Sequence, residues 1–194
     1  MIEVLAALSG SAAAGMRIAL PLLVIGLIQS DSLWSNVPLL SQVSPQIILG
    51  VLVSWSLFEV FASKRFLGQR VMQQIQLLLS PVAGAIIGVA IASTAGFPDL
   101  LLGLIGFIGG LLALVLQLVS AGWFFRLRGL PIWVVFAQDA LCVSLVLFAF
   151  EAPTQGGIIA LMLLWLAIRS SKEWYRWYTK RNRNGSRQSY QQPD

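Results

Sequence analysis

Six apolar stretches follow one another along the chain, at about 4–28, 43–63, 73–96, 101–125, 130–150 and 156–174, separated by short polar segments. Each is close to the ~20 residues with which a helix, rising ~1.5 Å per residue, crosses ~30 Å of hydrocarbon. The separators are rich in turn formers: SDSLWSNVPLLSQVSP with Pro38 and Pro45, then SKRFLGQR, AGFPD, RLRG and EAPTQGG. The pattern predicts an all-α integral membrane bundle of six transmembrane helices over residues 1–180. A basic tail, expected to be disordered and cytoplasmic, follows over residues 181–194.

Composition fixes the solvent. The chain is 57% hydrophobic and 11% charged, with a mean hydropathy of +0.80, whereas soluble domains carry roughly 25% charged residues. Lipid is therefore the medium in which these helices pack. The start MIEVLAALSG has no basic residue ahead of its apolar run, so the run reads as a retained first helix and not as a secretory signal. There is no histidine, which removes the commonest metal ligand, and neither a metal nor another cofactor is expected. The single cysteine, Cys142, lies in an apolar stretch and reads as a small packing residue.

The position of the charges supports the count of crossings. Lys64, Arg65 and Arg70 follow the second stretch, and Arg126 and Arg128 follow the fourth. Arg169, Lys172, Arg176, Lys180, Arg181, Arg183 and Arg187 lie at or beyond the end of the sixth. The connections after the first, third and fifth stretches carry Asp31, Asp99 and Glu151 and no base. With six crossings every basic residue outside the stretches falls on one face. The positive-inside rule then puts both termini in the cytoplasm of a cell with an inner membrane. Trp174, Tyr175, Trp177 and Tyr178 interleave with the terminal bases as an interfacial belt, so the expected partner of the tail is a bilayer with anionic headgroups and not nucleic acid.

Small residues mark where backbones approach. Ala6 to Gly15 is small on all sides, which suits a central helix touched from several directions. Gly84 and Gly88, and again Gly106 and Gly110, stand at GxxxG spacing and read first as packing. A repeat is faintly visible: Pro81-Val82-Ala83-Gly84 opens the third stretch as Pro153-Thr154-Gln155-Gly156 opens the sixth. Trp55 and Phe58 precede Glu59, as Trp133 and Phe136 precede Asp139. Two inverted three-helix repeats are the architecture this suggests.

The chemistry lies in the polar residues inside the stretches. Arg17 stands near the middle of the first, where an arginine costs ~2.5–3.5 kcal/mol on insertion scales. Three readings stay open: a structural ion pair, a contact for a substrate or ion, and a snorkelling side chain. Asp139 and Glu59 are the acids that can answer it. At ~1.5 Å per residue Arg17 lies ~16 Å and Asp139 ~13 Å from the basic face, so depth favours that pair, with Glu59 shallower. Gln117 and Gln138 are candidates for further hydrogen bonds. No HExxH, GxSxG, CxxC or phosphate-cradling glycine loop is present, so an enzyme is not expected.

Gly15-Met16-Arg17 followed by Leu20-Pro21-Leu22-Leu23, with Leu57-Phe58-Glu59 and Ser80-Pro81-Val82-Ala83-Gly84-Ala85, resembles the domain of unknown function 4126 family of small bacterial membrane proteins. Gln138-Asp139 and the proline-opened last helix at Pro153 extend the likeness into the second half. Family members carry an Asp-Lys-x-Pro turn after the acid of the second helix, and Ser63-Lys64-Arg65-Phe66 replaces it here. The resemblance implies fold and location and attaches no activity. Two functions are therefore expected to compete. One is passage of a small solute or ion past the Arg17, Glu59 and Asp139 cluster. The other is a non-transporting scaffold, subunit or assembly factor of a larger membrane complex, with a homo-oligomer or complex partner.

Overall fold

The computed structural model describes residues 2–28, 44–62, 66–127 and 132–189. Seven helices occur among them: α1 (Ile2–Met16), α2 (Ala19–Ile28), α3 (Pro45–Ala62), α4 (Phe66–Thr94), α5 (Asp99–Leu127), α6 (Ile132–Glu151) and α7 (Pro153–Ser189). Four contain segments long and apolar enough to cross a membrane: Gln73–Thr94, Asp99–Trp123, Trp133–Glu151 and Pro153–Ser171. Ile2–Met16 and Gln46–Phe58 are shorter apolar helices. The all-α membrane class thus stands, with four full-length spans among the described residues.

The largest departure is in the first stretch, expected as one helix and built as two. Pro21 supplies the reason. Its missing N–H leaves the Arg17 carbonyl without a helical donor, and its ring crowds that same carbonyl four residues back. The proline is tolerated in the first turn of α2, and the break falls at Arg17–Ile18. Pro81 lies inside α4 without ending it. At the far end, where disorder is expected from residue 181, α7 continues to Ser189. A helix already formed in the membrane adds residues without a new nucleus, and Lys, Arg and Gln are good helix formers.

The connections between the last four helices are short. Gly96, with φ of +73°, ends α4, and its N–H reaches the Ser93 carbonyl at 3.2 Å. Glycine is the residue that adopts this left-handed conformation without strain. A single residue, Ala152, separates α6 from α7, with Pro153 opening the new helix where its lack of an N–H costs nothing.

Around this frame large apolar side chains cover the outside, while a few polar ones are buried among the small and apolar residues of the core. Arg17, Gln76, Gln117, Ser9, Ser11 and Ser80 are buried, whereas Leu78, Leu100, Phe107, Trp133 and Phe136 face outward. That arrangement suits a hydrocarbon surround, where apolar surface needs no cover and polar groups need internal partners.

At the centre stands α1, which packs against α4, α5, α6 and α7, while α2 packs mainly against α3. The run from Ala6 to Gly15 permits this. A Cβ on Gly84 would lie 2.5 Å from the Ala113 Cβ, and one on Gly110 would lie 2.7 Å from the Pro81 carbonyl oxygen. A Cβ on Gly15 would come within 2.8 Å of the Ala113 backbone. Ser11 donates to the Gly84 carbonyl (2.9 Å) and Ser9 to the Leu145 carbonyl (2.7 Å), tying α1 to α4 and to α6. Such bonds between membrane helices contribute ~0.6 kcal/mol each on average.

Candidate functional site

Breaking a helix leaves the last carbonyls of one half and the first N–H groups of the other without partners. One backbone bond closes the end of α1, from Arg17 N–H to Ala13 O at 3.1 Å. Among the described residues no backbone N–H beyond the break returns to the Ala14 or Gly15 carbonyl. The rest of the closure comes from α6, whose residues 138, 139 and 142 lie within about one turn. Gln138 donates its amide to the Met16 carbonyl at 3.0 Å, and the Cys142 thiol sits 3.5 Å from the Ala13 carbonyl. Between them Asp139 meets Arg17, with Nε to Oδ1 at 2.7 Å.

The pair is a close charge contact with poor hydrogen-bond geometry. Although Oδ1 is within hydrogen-bond distance of Nε, it lies off the N–H direction and accepts no hydrogen bond among the described residues. Its two ends are unequally covered: the Arg17 side chain is 10% exposed and that of Asp139 26%. The guanidinium is thus held inside the bundle, while the carboxylate stands nearer its edge. The pair and the Gln138 amide lie directly at the discontinuity, where the carbonyl end of α1 and the N–H end of α2 face opposite ways. Such a point can present both donors and acceptors to a small polar guest.

Gln117 turns elsewhere. It is 1% exposed, and its Nε2 donates to Gln73 Oε1 (3.2 Å) and to Gln76 Oε1 (3.4 Å), so its partners are on α4 and not in the ion pair. The seam from Gln73 through Gln76 to Ser80 follows one face of α4. Ser80 is fully buried, and its hydroxyl has no hydrogen bond among the described residues. The Glu59 side chain lies outside the described residues, as do Asp31, Lys64, Arg65 and Arg128. Sequence reasoning missed Gln73 and Gln76, although two glutamines three apart at the head of an apolar run were a readable sign of one polar helix face.

A cavity of about 310 Å³ adjoins the break between α5 and α6, where Met16 and Gln138 meet Val119, Ser120, Trp123 and Leu141. No group of three or more His, Cys, Asp or Glu side chains able to hold a metal occurs among the described residues.

These features define an α-helical membrane protein with a broken, centrally packed first helix and an intramembrane arginine–aspartate pair at the break. The chain belongs to the family defined by the domain of unknown function DUF4126, whose model matches residues 4–173. No curated protein and no solved structure matches it significantly.

Proposed function

We propose that the protein moves a small solute or ion across a bacterial inner membrane, with the break at Arg17 as the site. The observation that carries this reading is the ion pair itself. A cation and a carboxylate meet where a helix is interrupted, and Asp139 Oδ1 is buried yet accepts no hydrogen bond among the described residues. An interrupted helix with a charged pair costs stability, and a passive anchor has no need of one. In this reading the carboxylates of Asp139 and Glu59 are proton or cation sites, and Arg17 is the counter-charge or an anion contact.

Six crossings, with α1 and α2 together as the first and α3 as the second, put all bases outside the membrane on one face, with both termini cytoplasmic. An origin in two inverted three-helix units is supported by the glycines of the two proline-opened motifs. Gly84 takes the Ser11 hydroxyl on its carbonyl, and Gly156 packs against Ser9, two residues away on α1. The basic tail is assigned to anionic headgroups, and the chain is read as having no enzymatic role.

Proteoliposomes loaded with a pH-sensitive or ion-sensitive dye test the reading. Flux that is lost in the Arg17→Gln, Asp139→Asn double variant, in which neither charge is left alone in the bundle, supports it; no flux for any proton, cation or anion overturns it. A second reading, a non-transporting subunit, is favoured by the backbone-close packing of α1 against four helices, which leaves little room for a path through the glycine-rich half. Native pull-down of a stoichiometric membrane partner supports that alternative.

A further inference from the structure

We infer that the cavity between α5 and α6 seats one acyl chain of an anionic phospholipid, with the head at its Trp123 rim and the chain end against Met16. The cavity holds about 310 Å³, at the small end of the ~300–1,000 Å³ of ligand pockets. It suits a single chain and excludes a whole lipid. Its walls run along α6 from Val134 to Leu141, ~10 Å of helix rise, starting one residue from the end of the span at Trp133. Its long axis therefore follows the direction in which a lipid chain already lies.

The opening faces the bilayer. Trp133 and Phe136, which flank it on α6, are 72% and 68% exposed, and Trp123 is 53% exposed. Inward, it reaches Met16, which is 7% exposed and is the last residue of α1. A groove that stopped at the helix surface would be an ordinary lipid-facing dent; this one ends on the broken helix.

Charge complementarity selects the head. The Trp123 indole donates to the Ser170 hydroxyl on α7 at 3.0 Å. The preceding residue, Arg169, holds its guanidinium 5.3 Å from the Trp165 ring centroid. None of the described lining residues is acidic. An arginine beside the Trp123–Ser170 contact, over an apolar slot, matches a phosphate head over an acyl chain, and the Trp indole is suited to the headgroup boundary. A chain in the slot would brace Met16 and Gln138, and so hold the break closed whether or not anything is transported.

Native mass spectrometry of the full chain in mild detergent, titrated with phosphatidylglycerol or phosphatidylcholine, tests the seat. One phosphatidylglycerol per chain is expected to persist at activation energies that strip phosphatidylcholine. Ala137→Trp and Val134→Trp, which fill the slot from its exposed side, should each lower the bound fraction about tenfold. Phe107→Trp, on an exposed stretch of α5 away from the slot, should leave it unchanged. Arg169→Gln should remove the headgroup preference while binding persists. Equal retention of the two lipids, no retained lipid, or full retention in both slot-filling variants overturns the inference.

Discussion

Gln138 donates its side-chain amide to the Met16 carbonyl at 3.0 Å, so the helix that brings the acid to Arg17 also closes the open end of the helix from which Arg17 emerges. The next residue carries the charge and the one before it in the ring of contacts carries the backbone repair. Structural repair and charge neutralisation are thereby joined in one turn of α6, and changes to either should be felt by both.

The first consequence concerns the pair. Arg17→Gln and Asp139→Asn each leave one charge inside the bundle without its partner. Removing one member of a buried pair costs ~3–5 kcal/mol, enough to collapse the yield of folded protein. The double variant, with two neutral amides, should recover most of that yield in a fluorescence-detected size-exclusion profile. Singles that match the wild type would show that the 2.7 Å contact contributes nothing to folding.

A second expectation concerns the glycine seam. Gly84→Val must displace Ala113 or the Gly109 carbonyl, which a Cβ would approach at 2.5 and 2.8 Å. Overpacking of this kind costs ~1–3 kcal/mol or more, and should lower the thermal midpoint sharply. Gly103→Ala and Gly122→Ala meet nothing within 4 Å. Each should raise helix stability by up to ~1 kcal/mol through propensity alone. A common response of all three sites would contradict the packing described here.

Pro21→Ala restores the N–H that the Arg17 carbonyl lacks. If the proline is the cause of the break, amide exchange at residues 18–22 should slow in the variant, and the Arg17–Asp139 contact should weaken as the helix straightens. Unchanged exchange would place the cause of the break in packing.

Cys142 offers a probe of the same seam. It is fully buried and in no disulfide, with its thiol 3.5 Å from the Ala13 carbonyl. Alkylation of the native protein should be slow. Gln138→Leu leaves the Met16 carbonyl without its donor, at a cost of ~1–3 kcal/mol, and should speed labelling by local opening. Rates equal in the two proteins would mean that Gln138 does not hold the break closed.

Much of this was legible in the chain. Length and greasiness marked the helices, and the depth count paired Arg17 with Asp139 because helix rise is the same everywhere. Small residues in α1 announced a central helix. The break is not legible in the length of the apolar run, because Pro21 leaves hydropathy unchanged and acts four residues back, on the Arg17 carbonyl. Depth along the membrane normal groups Gln117 with the charge cluster but says nothing of rotation about a helix axis. Its actual partners, Gln73 and Gln76, are set by which face α5 turns to α4. The Gln138 and Cys142 contacts depend on an open carbonyl end, which a continuous helix does not present.

The separation of Arg17 from Asp139 along the chain also bears on biogenesis. The arginine leaves the ribosome 122 residues before its aspartate, which at ~5–20 residues per second amounts to roughly 6–24 s. Throughout that interval the nascent first segment must keep a bare guanidinium at mid-depth. The insertion machinery, or a passing lipid phosphate, has to shelter it until the sixth helix arrives.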